Sequence, residues 1–155
     1  MNPEDRLLET ITALGARIDA LEAERAACGL MHRYAAALDE PDPDELARLF
    51  TADGTLDTTR GSYHGHDEIA GFFRAARAAD DSDKRHFLCQ PDVRSTGHGR
   101  VALDCYFSYI ARGTDSALGW GTYAAVCRVE SGVAAFDSLR IAVHHGTDLG
   151  RGWRR

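Results

Sequence analysis

The sequence has no apolar run long enough to cross a bilayer. Nor has it a surplus of positive charge. Its 18 Lys and Arg stand against 24 Asp and Glu, a formal charge of −6, so nucleic-acid binding has no electrostatic support. There is no C-x-x-C pair. Cys28, Cys89, Cys105 and Cys127 are scattered, three of them in apolar strand-like runs. They are expected to be reduced, buried thiols of a cytoplasmic protein. The opening "MNPEDRLLET" is acidic and amphipathic, unlike a signal peptide. No internal repeat, Ser–His–Asp set, phosphate loop or nucleotide fingerprint stands out. His64 and His66 flank Gly65, and His144 adjoins His145, but these spacings match no standard zinc pattern. His32 reads as a helix-face residue. Neither a metal nor another cofactor is expected.

What is present fits one soluble domain. The chain has 155 residues, 44% of them hydrophobic and 27% charged, enough to bury a core without staples. The N-terminal third has helical periodicity. Leu7, Ile11, Leu14, Ile18 and Leu21 repeat at four-three-four-three spacing, a short heptad seam. That seam packs either on its own domain or on a partner subunit. A second helical segment, "AACGLMHRYAAALDE", has an apolar stripe of Met31, Tyr34 and Leu38, and Pro41 should end it. Asp42, Pro43 and Glu45 have the chemistry of an N-cap, a first helical position and a capping box. "GTLDTT" reads as a short strand. "GHDEIAGFFRAARAAD" reads as a third helix with Ile69, Phe72, Phe73 and Ala76 inward.

After residue 82 the period changes from helical to alternating. Four strand-like runs, 84–94, 100–112, 117–130 and 133–145, are separated by the turn-forming "STGHG", "RGTD" and "ESG". Val101, Leu103, Cys105, Phe107 and Tyr109 share one face of the second run. Helices first and then an antiparallel meander give an α+β layout, with helices against one face of the sheet. If the sheet is strongly curved, the helices close a cone with a pocket in it. The expected divisions are an N-terminal amphipathic helix (1–22), the α+β cone domain (23–146) and a flexible tail (147–155).

Two residues are not absorbed by this framework. Asp39 lies in the last helical turn before Pro41, where a carboxylate opposes the helix dipole at a cost of roughly 0.3–1 kcal/mol. A solvated helix-end Asp is the commoner reading, but such a cost invites a partner. His86 opens "HFLCQ", where alternation puts His86, Leu88 and Gln90 on one face and Phe87 and Cys89 on the other. It is either a surface residue at the mouth of a strand or a base facing a pocket. Tyr34, five residues before Asp39, reads locally as a core aromatic.

The ordered set "RYAAALDEPDPDELARLFTADGTLD", "YHGHDEIAGFFRAA", "RHFLCQPDVR" and four strands resembles the SnoaL-like branch of the nuclear-transport-factor-2-like superfamily. The likeness covers nearly all of the chain after about residue 23. That superfamily has the helix-closed cone and includes scytalone dehydratase, bile-acid dehydratase, ketosteroid isomerase, limonene-epoxide hydrolase, polyketide cyclases and non-enzymes. The resemblance puts scytalone dehydratase's catalytic aspartate on Asp39 and its strand histidine on His86. It puts bile-acid dehydratase's tyrosine on Tyr34. It departs at scytalone dehydratase's second histidine, which falls near Ala111, and at its serine and asparagine, near Tyr123 and Ala125. One substrate-binding tyrosine falls on Thr58, as does ketosteroid isomerase's base, while the isomerase's second acid falls near Ala124.

The resemblance implies a lyase, a cofactor-independent dehydratase of a hydroxylated cyclic or polycyclic carbonyl compound, in secondary metabolism or steroid breakdown. His86 is the expected base, Asp39 its orienter and Tyr34 the ligand of the substrate oxygen. A polyketide cyclase or isomerase using the same dyad, and a non-catalytic ligand-binding module, are the alternatives. The expected substrate-contacting residues are Trp120, Tyr123, Thr58, Phe73, Leu88 and Arg140. Trp120 and Tyr123 alternate differently, so a regular strand puts only one inside, and Gly119 and Gly121 beside them suggest a bulge or a close backbone approach. Arg140 pairs either with an acidic substrate or with a rim carboxylate. The expected partner is a hydrophobic cyclic small molecule, with no nucleic acid and no membrane, and the expected assembly is a homodimer or homotrimer.

Overall fold

The computed structural model describes residues 2–113 and 116–150. A single helix, α1, runs from Pro3 to Asp39. Asn2 caps it, accepting from the Glu4 N–H, while the Asp5 side chain accepts from the Asn2 N–H. Two helices and a boundary at residue 22 were the expectation. "LEAERAA" contains no breaker, so the helix propagates through it. Pro41 stops it as expected, and α2 (Pro43–Arg48) follows at once. The Asp42 carboxylate caps α2 by accepting from the N–H groups of Asp44 and Glu45. The return bond of a capping box, from Asp42 N–H to Glu45, is not made.

Strand β1 (Phe50–Thr58) is longer than "GTLDTT". It turns into β2 (Gly61–His64), a four-residue strand too short to be read from pattern. Helix α3 (Gly65–Ala79) buries Ile69, Ala70 and Phe73. The four later runs form β3 (Asp83–Gly97), β4 (Arg100–Arg112), β5 (Ala117–Glu130) and β6 (Val133–Asp148). Residues 147 and 148, expected in a tail, are thus strand, and 151–155 lie outside the described residues. The sheet order is β2-β1-β6-β5-β4-β3. The meander is antiparallel, whereas β1 returns to pair with β6 in parallel. Pro91 does not close β3. The chain passes it through a bulge between Cys89 and Asp92, where Gln90 takes φ 52°. Proline is tolerated there because β3 is an edge strand.

The sheet is curved and unclosed, and the helices cover its inner face. Ala27, Leu30, Met31 and Tyr34 of α1 and Phe73 of α3 meet Val101, Leu103, Cys105 and Phe107 of β4, Tyr123 of β5 and Phe136 and Leu139 of β6. Helix α1 is fastened to edge strand β3 at two levels. Glu24 accepts from the Ser95 N–H at 2.8 Å, and Asp39 accepts from the His86 N–H at 2.9 Å. The thiols are less uniform than expected. Cys105 and Cys127 are buried, but Cys28 is half-buried and Cys89 is exposed, on the outer face of β3. No helix among the described residues is long and apolar enough to cross a membrane.

Candidate active site

Asp39 finds the partner that its position requires. One carboxylate oxygen, Oδ1, accepts from the backbone N–H of His86 at 2.9 Å and lies 2.8 Å from ring Nδ1 of the same residue. A hydrogen bond to a charged group contributes about 1.5–3 kcal/mol. Two of them outweigh the unfavourable end of the helix dipole. An ionised carboxylate can only accept, so Nδ1–H donates to it, and in the neutral ring the lone pair is on Nε2. The backbone bond locks the strand to the helix end, and the ring bond sets the tautomer. Both side chains are largely withdrawn from water, His86 to 11% and Asp39 to 21% exposure.

The ring of His86 faces an aromatic interior. Its centroid is 6.5 Å from Phe107 and 6.2 Å from Tyr109, its register partner on β4. Phe107 stacks on Tyr123 at 4.3 Å, and Tyr123 meets Tyr34 edge-on at 5.6 Å. Tyr34 is enclosed by Tyr123, Phe73 and Phe136. Its hydroxyl is buried and has no hydrogen-bond partner in the structure. Burial alone pushes the Tyr34 phenol far above its ordinary range. Burial does the same to Tyr123, with the neighbouring Tyr34, Cys105 and Asp39 adding to it. Both phenols are therefore neutral donors at any working pH.

The glycines of "LGWGTY" are explained by these rings. A Cβ on Gly121 would fall 2.6 Å from the Phe107 ring and collide with the Ala142 carbonyl oxygen. A Cβ on Gly119 would fall 2.5 Å from the Tyr109 ring, and one on Gly146 would fall 2.9 Å from the Tyr109 hydroxyl. Bare backbone at these points lets two aromatic side chains of β4 lie flat across β5 and β6.

Of the residues singled out from sequence, the structure gathers His86, Asp39, Tyr123, Tyr34, Phe73 and Leu88 on the inner side. Leu88 is half-buried on the same face as His86, and Gln90 leaves that face at the bulge. Tyr34 is linked to His86 through the ring contacts of Tyr123 and Phe107. Three residues lie elsewhere. Trp120 is on the outer face with Tyr106, His144 and His145. The expected bulge exists, but its extra residue, His144, is on β6, so alternation along β5 keeps Trp120 out. Thr58 ends β1, where its hydroxyl bonds the turn at Arg60 and Gly61. Arg140 lines a shallow outer depression with Asp57, Asp104 and Ser138. A second depression, around Arg85, Ile110, Arg112 and Leu118, also leaves the dyad out. On the inner side of the dyad lie the rings of Phe107 and Tyr109, with Tyr123 stacked on Phe107. Tyr109 was not singled out for the site, although its place on the inward set of β4 was legible.

His64 and His66 have local explanations. His66 Nε2 is 2.9 Å from the Phe50 carbonyl oxygen, and His64 ends β2 at the N-cap of α3. Among the described residues, no group of three or more His, Cys, Asp or Glu is placed to hold a metal ion.

Comparison with known proteins agrees with this architecture. The SnoaL-like domain family matches residues 19–140. A candidate scytalone dehydratase from Novosphingobium aromaticivorans DSM 12444 superposes with a TM-score of 0.70 at 19% identity, over 80% of this chain and 85% of that one. The hexachlorocyclohexane dehydrochlorinase LinA-type3 from Novosphingobium barchaimii LL02 gives 0.72 at 17% identity, over 90% and 94%. ActVI-ORFA from Streptomyces coelicolor gives 0.69 at 14% identity, over 78% and 97%. At these identities the likeness is one of fold. No curated protein matches the sequence. The chain belongs to the SnoaL-like domain family of the nuclear-transport-factor-2-like superfamily.

Proposed function

We propose that this SnoaL-like protein is a cofactor-independent dehydratase of a hydroxylated cyclic carbonyl compound, with His86 as its acid–base group. The observation that carries the reading is the 2.8 Å contact between Asp39 Oδ1 and His86 Nδ1. It leaves Nε2 as a base beside an aromatic interior. Two of the structural neighbours bear names that denote eliminations, one of water and one of hydrogen chloride. An elimination begins with removal of a proton, which suits an oriented imidazole.

In the proposed reaction Nε2 takes the proton next to the substrate carbonyl. The carbon–oxygen bond on the adjacent carbon breaks. The leaving hydroxyl takes the same proton from Nε2 and departs as water. The products are the unsaturated carbonyl compound and water, and His86 ends neutral as it began. Asp39 stabilises the transient imidazolium and holds the ring in place. The Tyr34 hydroxyl donates to the substrate oxygen, which would give it the partner it lacks. Phe107, Tyr109, Tyr123, Phe73 and Leu88 keep water away, and the rings of β4 and β5 would have to part to admit a substrate.

The test is a panel of β-hydroxy cyclic ketones in D₂O, followed by ultraviolet absorbance and proton NMR. Dehydration gives a conjugated absorbance that depends on His86. Exchange of the α-proton without loss of water would instead favour an isomerase or cyclase. A crystal structure with a bound ligand and with Asp39 remote from both His86 nitrogens would remove the basis of the proposal.

A further inference from the structure

We infer that residues 3–22 are a dimerisation arm that forms a parallel two-stranded coiled coil with a second copy of this chain. Leu7, Ile11, Leu14, Ile18 and Leu21 are all 54–60% exposed, although they are the most apolar residues of the arm apart from Leu8. Nearly every other residue from Pro3 to Glu22 is exposed as well. The chain's own domain cannot cover this seam. The face of α1 that meets the domain carries Ala23, Ala27, Leu30 and Tyr34. At 3.6 residues per turn that face is about 180° around the helix from the seam. A helix that packs on its own domain from residue 23 onward and carries an exposed leucine and isoleucine seam before it is placed to join two bodies.

Residue types select the second body. In heptad terms Ile11 and Ile18 occupy a, and Leu7, Leu14 and Leu21 occupy d. β-Branched residues at a with leucine at d favour two parallel strands. The flanking charges agree. Arg17 is at g and Glu22 is at e of the next heptad, the two positions that face each other across a parallel pair. Both are exposed. Each dimer would gain this ion pair twice by symmetry. In an antiparallel pairing centred on Leu14, Arg17 would meet Thr10 instead. The seam ends where Arg25 takes the next a position. The two domains would then hang on opposite sides of a central two-helix stem. The arm runs about 28 Å at 1.5 Å per residue. Two heptads are short for an isolated coiled coil, but here the helix is already nucleated by the domain into which it continues.

The test is the mass of the full chain by sedimentation equilibrium, for the unmodified protein and three variants. Unmodified protein should have twice the chain mass, and Ile11→Asp/Ile18→Asp should have the single-chain mass with its far-ultraviolet spectrum kept. Glu22→Lys should weaken association roughly five- to tenfold, since two attractive pairs become repulsive. Combining Glu22→Lys with Arg17→Glu should restore it, a rescue that only the parallel register provides. A single-chain mass at high protein concentration, or a mass of three chains, would overturn the inference. So would a dimer that survives Ile11→Asp/Ile18→Asp, which would assign assembly to the outer face of the sheet.

Discussion

The inner and outer faces of the sheet both carry histidine beside aromatic rings. On the inner face His86 lies near Phe107 and Tyr109, and a carboxylate from α1 holds its Nδ1. On the outer face His144 and His145 lie 5.0 and 5.4 Å from Trp120, and Nε2 of His144 is 3.0 Å from the Thr122 hydroxyl. The residue types are alike, but the surroundings are not. Asp39 is delivered from a separate element, and the helices that deliver it also exclude water. The outer pair has a hydroxyl and open solvent. The difference between the two faces lies in what surrounds each histidine and not in the histidine itself.

The most direct way to break this comparison is to remove one histidine from each face. His86→Ala is expected to lower the rate by about 10²–10⁴-fold, the usual worth of a positioned acid–base group. His144→Ala should leave the rate unchanged. Asp39→Asn should approach the His86→Ala rate, because an amide no longer stabilises the imidazolium. The double variant should be little slower than His86→Ala alone, since the pair acts as a unit. Additive losses in steady-state kinetics would separate the two residues and undo the dyad.

Stability sharpens the same contrast. Phe107 is buried in the ring stack, and its neighbour Tyr106 is half-exposed on the other face. Phe107→Ala should cost about 3–5 kcal/mol. Tyr106→Ala should cost well under half of that in urea unfolding. Gly121→Ala tests the packing from the opposite side. The new methyl would meet the Phe107 ring and the Ala142 carbonyl, and an overpacked core costs about 1–3 kcal/mol. If Gly121→Ala is neutral, the aromatic interior is looser than drawn, and loosening is what substrate entry requires.

How much of this was legible depended on the range of the signal. Strands β3 to β6 were read closely because alternation and turn chemistry are local. The inward set of β4 came out residue by residue for the same reason. Asp39 could be isolated by elimination, since capping explained Asp42 and Glu45. Alternation could single out His86 but not pair it with Asp39, because a contact across 47 positions leaves no periodicity, and only the family resemblance joined the two. Trp120 was misplaced because the bulge beside it took its extra residue on β6 and left the alternation of β5 intact. β2 has too few residues for a pattern. The parallel return of β1 to β6 depends on the whole sheet. Thr58 was carried over by family position and serves a turn here, while Arg140, read from its own charge as a partner for a substrate or rim carboxylate, lines an outer depression. The break expected within α1 came from reading two stripes as two helices, when they are two faces of one.

The smallest effect expected separates stability from function at one atom. Tyr34 carries the one buried side-chain polar atom found without a partner among the described residues. An unsatisfied buried hydroxyl is a cost, so Tyr34→Phe is expected to stabilise the fold by about 1 kcal/mol at neutral pH. The same change should slow turnover by roughly tenfold if that hydroxyl donates to the substrate oxygen. The pH dependence gives a second readout. The folded pKa of Tyr34 is raised by burial, so its contribution is fully present below the unfolded value near pH 10. It is lost as pH rises beyond that, because the unfolded chain releases a proton that the folded chain retains. Tyr123 is shifted in the same direction and remains in the variant. Tyr34→Phe should therefore flatten the loss of stability between about pH 10 and 11 without abolishing it. Urea unfolding at neutral pH and above pH 10 measures both terms. A stability loss at neutral pH would mean that the hydroxyl is already satisfied, and the donor role given to it would then have to pass to Tyr123.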